Sequence, residues 1–269
     1  MSKAEIRVAL LVCDRPADSI VAVSGDYSQM FGRLLRDAGT RHAPPVDFHI
    51  TAFDVVNNPS ATDNAIKAIT DTDAVVITGS KYGVGDGLEW TQRLINYVQL
   101  AEATKRIKII GVCFGHQVVA AAFGGKVERN TNPIGYKEVK NPQGWEAGWT
   151  KMIPTDAGKT FFGDIKDSVA FYSMHKDIVT VCPPGFSNLL TTDLCPFQSL
   201  LKDDSILTIQ AHPEFSAEVV REIIQLRKEI KVFNEDYADD LLAILANNPQ
   251  VESSWFSDKV VSFLLKASP

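Results

Sequence analysis

The stretch Gly111-Val112-Cys113-Phe114-Gly115-His116-Gln117 constrains the fold more than any other part of the chain. It follows the apolar run Ile107-Lys108-Ile109-Ile110, which predicts a buried strand. It precedes Val118-Val119-Ala120-Ala121-Ala122-Phe123, a packed helix closed by Gly124-Gly125. A cysteine with glycine two residues away on each side, between a strand and a helix, has the form of a nucleophile elbow. Such a turn is tight, so its neighbours must be small. It lifts the sulfur to the end of a sheet, where the helix N-terminus favours the thiolate, the reactive form of the side chain.

The strand that feeds this turn is one of a series. Ile6 to Cys13 predicts a buried parallel strand. A helix follows from Asp26 to Ala38, with Met30, Phe31, Leu34 and Leu35 at helical spacing and an expected stop at Gly39. Val46 to Val55 is the next strand and Ser60 to Thr70 a short helix. Ala74-Val75-Val76-Ile77-Thr78 is a third strand, running into the turn Gly79-Ser80. Leu88 to Thr104 is helical, with Leu94, Ile95, Val98 and Ala101 on one face. Alternating strands and helices predict a mostly parallel sheet with helices on both faces, a three-layer α/β architecture. Sites in such sheets lie beyond the carboxyl ends of the strands, where Gly79-Ser80 and Cys113 both fall.

From Lys126 to Leu207 short β-like runs take over: Lys137 to Lys140, Val169 to Tyr172, Ile178 to Val181, Asn188 to Thr192, Gln198 to Lys202 and Ile206 to Gln210. They predict antiparallel strands extending or covering the sheet. After Phe215 the spacing is helical over Ala217 to Lys231, Asn234 to Ala246 and Trp255 to Leu265. The charges of Arg221, Glu222, Arg227, Lys228 and Glu229 are expected on a solvated helix face.

The charge balance, 27 Lys+Arg against 33 Asp+Glu over 269 residues, argues against a polyanion-binding surface and so against nucleic acid as a partner. No apolar run reaches membrane-spanning length. The start, Met1-Ser2-Lys3-Ala4-Glu5, lacks the order of a secretory leader. Cys13, Cys113, Cys182 and Cys195 form no C-x-x-C pair and no zinc spacing, so a cytoplasmic setting with free thiols is expected. Cys13, Cys182 and Cys195 read as core residues. The loop Gly83-Val84-Gly85-Asp86-Gly87 lacks the glycine spacing and Lys-Ser/Thr ending of a nucleotide-binding loop, and reads as a rim or specificity loop.

A cysteine nucleophile needs a base, and the base needs a group that fixes its tautomer. Of the five histidines, His212 follows the apolar strand Ile206-Leu207-Thr208-Ile209 and opens His212-Pro213-Glu214-Phe215. Pro213 biases His212 away from helical geometry. In an extended chain Glu214, two residues on, shares its side and can orient the imidazole. His116 reads as structural. His175 is balanced between lining the site and closing a turn.

Gly-Val-Cys-Phe-Gly-His-Gln and Gln-Ala-His-Pro-Glu-Phe resemble the two signatures of class I glutamine amidotransferases, a flavodoxin-like family whose members cleave the side-chain amide of glutamine through a Cys-His-Glu triad. The resemblance covers most of Ile6 to Phe215. It implies Cys113 as nucleophile, His212 as general base and acid and Glu214 as orienting carboxylate. It places the oxyanion hole at the backbone N–H groups of Phe114 and Ser80, and Gln117 and Gly79 at the glutamyl substrate. It sets Tyr172-Ser173-Met174-His175-Lys176-Asp177 as the segment holding the substrate's α-amino and α-carboxylate groups, with Ser173, Met174 and His175 among the binding residues. Residues 1–215 are then the catalytic domain, and residues 216–269 a helical extension packed on it. The turn Thr78-Gly79-Ser80 departs from the Gly-Gly-Pro form of synthase-linked members. With the helical tail, it looks like stand-alone γ-glutamyl peptidases. The implied partner is a small γ-glutamyl compound of the glutamine or glutathione type. A synthase accepting ammonia would be a separate chain, and the chemistry calls for no metal or organic cofactor.

Overall fold

The computed structural model describes residues 4–58, 60–131 and 144–266. The expected strand at Lys137 to Lys140 and the reading of Met1 to Lys3 lie outside them. Among the described residues the chain builds one nine-stranded sheet and a two-stranded ribbon. The sheet order is β2 (Val46–Asp54), β1 (Ala4–Val12), β3 (Ala74–Ile77), β4 (Lys108–Val112), β11 (Ile206–Ile209), β10 (Ser199–Lys202), β9 (Ser187–Thr191), β6 (Glu146–Pro154) and β7 (Val169–His175). The first five are mutually parallel and the last four continue antiparallel. The ribbon pairs β5 (Lys126–Arg129) with β8 (Asp177–Val181).

The central strands β3, β4 and β11 are mostly apolar because both faces are covered, with only Lys108 and Thr208 as polar side chains, which is why they show no polar alternation. Val8 and Leu10 of β1, Val76 of β3, Ile110 and Val112 of β4 and Leu207 and Ile209 of β11 face one core. Helices α2 (Tyr27–Arg41), α7 (Ala217–Glu229), α8 (Glu235–Asn247) and α9 (Ser253–Leu265) pack into that core. Ala9 and Leu11, Val75 and Ile77, and Ile109 face the opposite core, with α3 (Ala61–Lys67), α4 (Glu89–Ala103) and α5 (Phe114–Ala122). The C-terminal helices thus supply Val219, Ile224, Leu241, Phe256 and Val261 to the same core as the parallel strands. Arg41 at the end of α2 grips Asp258 of α9, with Nε and Nη2 donating to one carboxylate oxygen at 3.0 and 2.8 Å.

Two local expectations are corrected. Helix α2 does not stop at Gly39 but runs on to Arg41. The glycine is there because a Cβ would collide with the Val46 carbonyl oxygen and stand 2.9 Å from Phe48 Cε2, where the helix presses on β2. Strands β5 and β6 and the short helices α1 (Asp18–Ser24) and α6 (Asp156–Phe162) are additions to the sequence reading. The helix expected from Ser60 to Thr70 is shorter and closes in a 3-10 turn at Ile69–Asp71.

The elbow follows from the meeting of β4 and α5. Cys113 has φ 51° and ψ −102°, a positive-φ conformation that side-chain-bearing residues rarely adopt. Its amide donates to Ile209 at 2.8 Å, so the turn is pinned to the neighbouring strand. A Cβ at Gly111 would lie 2.7 Å from the Gly115 carbonyl oxygen. One at Gly115 would lie 2.8 Å from Ile77 Cβ. Both elbow glycines therefore answer to close packing, as the spacing predicts.

Strain at residue 113 gives a stability test. With the thiol gone in both variants, Cys113→Gly should resist denaturant better than Cys113→Ala by about 1 kcal/mol, since only glycine is at ease at this φ. Equal midpoints, or a less stable glycine variant, would show that the turn is not strained.

Candidate active site

Three adjacent parallel strands end at one place: β3 delivers Gly79 and Ser80, β4 delivers Cys113 and β11 leads to His212. The register that pairs Ile77 with Gly111 and Val112 with Ile209 brings these ends level. A Cβ at Gly79 would stand 2.8 Å from His212 Cε1 and 3.6 Å from Cys113 Cβ. Residue 79 therefore has to be glycine for the thiol and imidazole to share this space.

His212 Nδ1 and Glu214 Oε1 are 2.7 Å apart, with both side chains buried. That contact fixes the ring and leaves Nε2 for the thiol. The His212 amide donates to Tyr172 at 2.8 Å, and the ring lies flat on Phe215, centroids 4.1 Å apart and planes within 1°. Glu214 Oε2 has no hydrogen-bond partner among the described residues, so this carboxylate is committed to the imidazole. Burial by itself lowers the His212 pKa. The charge and hydrogen bond of Cys113, with those of Glu214, overcome it and push the value up to about 10. Full burial pushes the thiols of Cys13 and Cys195 up, in keeping with core roles.

The backbone N–H of Phe114 is the first of α5 and has no acceptor within the helix. The N–H groups of Gly79 and Ser80 donate to nothing among the described residues, whereas the Ser80 hydroxyl donates to the Cys13 carbonyl at 2.8 Å. Donors at Phe114 and Ser80 are therefore free at the ends of the strands that carry the elbow.

A cleft of about 230 Å³ opens over Cys113, walled in part by Gln117, Met174, His175, Lys176 and Asp177. Gln117 Nε2 donates to the Asp177 carbonyl at 2.8 Å and to Gln210 Oε1 at 3.1 Å, locking the helix to this wall. Met174 and His175 reach the cleft. Ser173 is fully buried, and its hydroxyl is unpartnered among the described residues. His175 Nε2 lies 2.9 Å from Glu146 Oε2, at an angle too oblique for a hydrogen bond, and Gln198 and Thr192 donate to the same carboxylate. Glu146 belongs to β6, one of two strands that the sequence pattern did not reveal. His116, 2.8 Å from Thr208 Oγ1, is driven neutral: burial, with His175 nearby, pulls its pKa down to about 3. A structural role fits that environment.

A second cleft of about 370 Å³ lies on the imidazole side, between the start of α1, α2 and α7. Ser80, Lys81, Met174 and Arg227 wall both clefts. The expectation for Arg227 is corrected: its guanidinium stacks 4.3 Å over the Trp145 ring and 5.7 Å from the Phe233 ring instead of lying on a solvated face. The signal was its place one helical turn beyond Ile223 and Ile224 and two beyond Val220, on the buried side of α7. The rim carries an aromatic chain, Tyr82 edge-on to Trp90 and Trp90 against Phe114, which braces the Gly83–Gly87 turn beside the elbow.

Comparison with known proteins agrees with this geometry. The family model for glutamine amidotransferase class-I matches residues 48–230. A glutamine amidotransferase-like protein of Schizosaccharomyces pombe is 31% identical over 97% of this chain and 100% of its own length. Gamma-glutamyl peptidase 3 of Arabidopsis thaliana is 28% identical over 87% of this chain and 86% of its own. The crystal structure of a glutamine amidotransferase from Thermotoga maritima shares the fold, with a TM-score of 0.68 at 16% identity over 97% of this chain and 99% of that one. The chain belongs to the class I glutamine amidotransferase family. Among the described residues no helix is long and apolar enough to cross a membrane, and no cluster of His, Cys, Asp and Glu has the makings of a metal site.

Two measurements check the electrostatics. The raised value makes the His212 imidazolium's contribution to stability complete below the ordinary histidine range and lost as pH rises through about 10. By NMR of labelled histidine, Cys113→Ala should move the His212 midpoint down, because burial remains and a favourable charge is gone. An unmoved midpoint would refute the pairing. Iodoacetamide should modify Cys113 before Cys13, Cys182 and Cys195, with peptide mass mapping as the readout. Uniform labelling would count against an activated thiolate.

Proposed function

We propose that this chain is a cysteine hydrolase of γ-glutamyl amide bonds, a stand-alone γ-glutamyl peptidase acting on small γ-glutamyl compounds. The observation that carries the reading is the convergence of Cys113, the buried His212–Glu214 pair and the free N–H groups of Phe114 and Ser80 at the ends of three neighbouring strands. The γ-glutamyl peptidase relatives and the family membership support it. The reaction is acyl transfer to sulfur and then to water. Cys113 Sγ attacks the γ-carbonyl carbon, and the oxyanion so formed accepts from Phe114 and Ser80. Removing one such preorganised donor costs about 3 kcal/mol in related acyl transfers. The imidazolium of His212 gives its proton to the departing nitrogen as the C–N bond breaks, leaving a γ-glutamyl thioester. His212 then takes a proton from water, whose oxygen attacks the thioester carbon. Glutamate leaves and the thiolate is restored. Glu214 holds the ring in the tautomer and orientation that both transfers need.

The small cleft over the sulfur, with Gln117, Met174, His175 and Asp177, accommodates the glutamyl group, and the larger cleft beyond His212 leaves the departing side open. An open departing side favours a peptidase over an enzyme that releases only ammonia.

The test is steady-state glutamate release from glutathione and from glutamine, with Cys113→Ala as the blank. Glutathione turnover well above glutamine turnover is expected, with none in the blank. Glutamine turnover alone would replace this reading with a glutaminase serving a separate synthase. Activity persisting in pure Cys113→Ala protein would overturn the cysteine mechanism itself.

A further inference from the structure

The second cleft has a composition of its own. Ile20 from α1, Tyr27 and Met30 from α2, and Ile223, Leu226 and Ile230 at the end of α7 make an apolar chamber entered past His212 and Phe215. Its volume of about 370 Å³ lies in the range of small-molecule sites. Besides the His212 imidazolium, which is paired with Glu214, four charged side chains border it: Asp14, Arg15, Lys81 and Arg227. Asp14 and Lys81 neutralise each other, Nζ to Oδ1 3.0 Å, and Arg15 pairs with Asp18 at 2.9 Å. Arg227 is different. It is half-buried, stacked on Trp145 and Phe233, and among the described residues has no carboxylate within ion-pairing distance. A half-buried guanidinium without an acidic partner, its plane fixed by aromatic rings and its edge turned to a cleft, suits an anion brought in by a ligand.

We propose that this chamber is the subsite for the departing amine, and that its preferred substrates are γ-glutamyl dipeptides whose second residue has a large apolar side chain and a free α-carboxylate, bound by Arg227. The inference rests on the γ-glutamyl hydrolase reading above. Its geometry follows from where the proton goes. His212 protonates the departing nitrogen, so that nitrogen lies on the imidazole's side of the sulfur, the side of the larger cleft. The α-carboxylate of the departing residue is one carbon removed from that nitrogen and stays near the junction of the clefts. Arg227 walls both clefts and so stands at that junction. The glutamyl α-carboxylate is three carbons from the reacting carbonyl and points the other way, toward Lys176 and Asp177. The apolar walls then take the side chain of the departing residue. In a tripeptide such as glutathione the next residue begins about 3.8 Å further out, and a neutral amide replaces the carboxylate at the junction.

The experiment compares kcat/KM for γ-glutamyl-leucine, γ-glutamyl-leucine amide, γ-glutamyl-glycine, glutathione and glutamine on the wild type, Arg227→Gln and Lys81→Gln. On the wild type, γ-glutamyl-leucine should exceed γ-glutamyl-glycine by about tenfold or more, the scale of lost apolar contact in a fitted pocket. It should exceed its own amide by about tenfold or more, chiefly through KM, the scale of a charge-assisted hydrogen bond. In Arg227→Gln the leucine and leucine-amide values should converge to within about twofold, while Lys81→Gln, whose lysine is already paired, keeps the gap. The wild-type substrate comparisons require no variant and stand if Arg227→Gln fails to fold. A carboxylate gap that persists in folded Arg227→Gln, or no preference for leucine over glycine, would overturn the subsite while dipeptides are still hydrolysed. Hydrolysis of glutamine with none of the γ-glutamyl peptides would instead remove the reading on which it rests.

Discussion

The site depends on how closely α5 approaches β3 and β4. No Cβ fits at Gly111 or Gly115, so the helix starts directly against the strand ends and Cys113 is forced to positive φ. A looser junction would let the turn relax. The sulfur would then move from the His212 ring and from the N–H at the head of α5. Strain of this kind persists only where surrounding packing over-determines it, and here both elbow strands are buried on both faces of the sheet.

That packing also sets the electrostatics. His212 is buried where a positive charge should be unwelcome, yet its proton is held because the thiol and Glu214 sit against the two ring nitrogens. His116, three residues beyond Cys113 and equally buried, has a threonine hydroxyl beside it and no such anion in contact, and its proton is driven off. Two histidines at similar depth thus have their pKa values pushed in opposite directions, decided by neighbours and not by depth.

The parallel half of the fold was legible because strands buried on both faces leave apolar runs, unbroken in Ala74 to Ile77 and interrupted only by Thr208 in Ile206 to Ile209. The triad candidates were legible because Cys113 directly follows such a run and His212 comes three residues after the end of another. The antiparallel half was less so. Strand β6 mixes Trp149, Thr150 and Lys151 and bends at Gly148, where φ is 78°, so neither period asserts itself. Gly39 misled because a glycine required by close packing against β2 looks, in sequence, like one that ends a helix. Arg227 was hidden among charges: only its phase on α7, and a tryptophan far away in sequence, turn a surface-like residue inward. Long-range pairing and aromatic stacking leave no local trace.

The flat stacking of His212 on Phe215 has a kinetic consequence. A ring held at Nδ1 by Glu214 and across one face by a phenyl group is not free to turn over between half-reactions. Under the proposed chemistry a single ring edge must therefore serve both departing amine and incoming water, one after the other. Any amine still lodged beside that edge competes with water for the acyl group. An enzyme built this way partitions between hydrolysis and transpeptidation according to how quickly its first product clears the doorway.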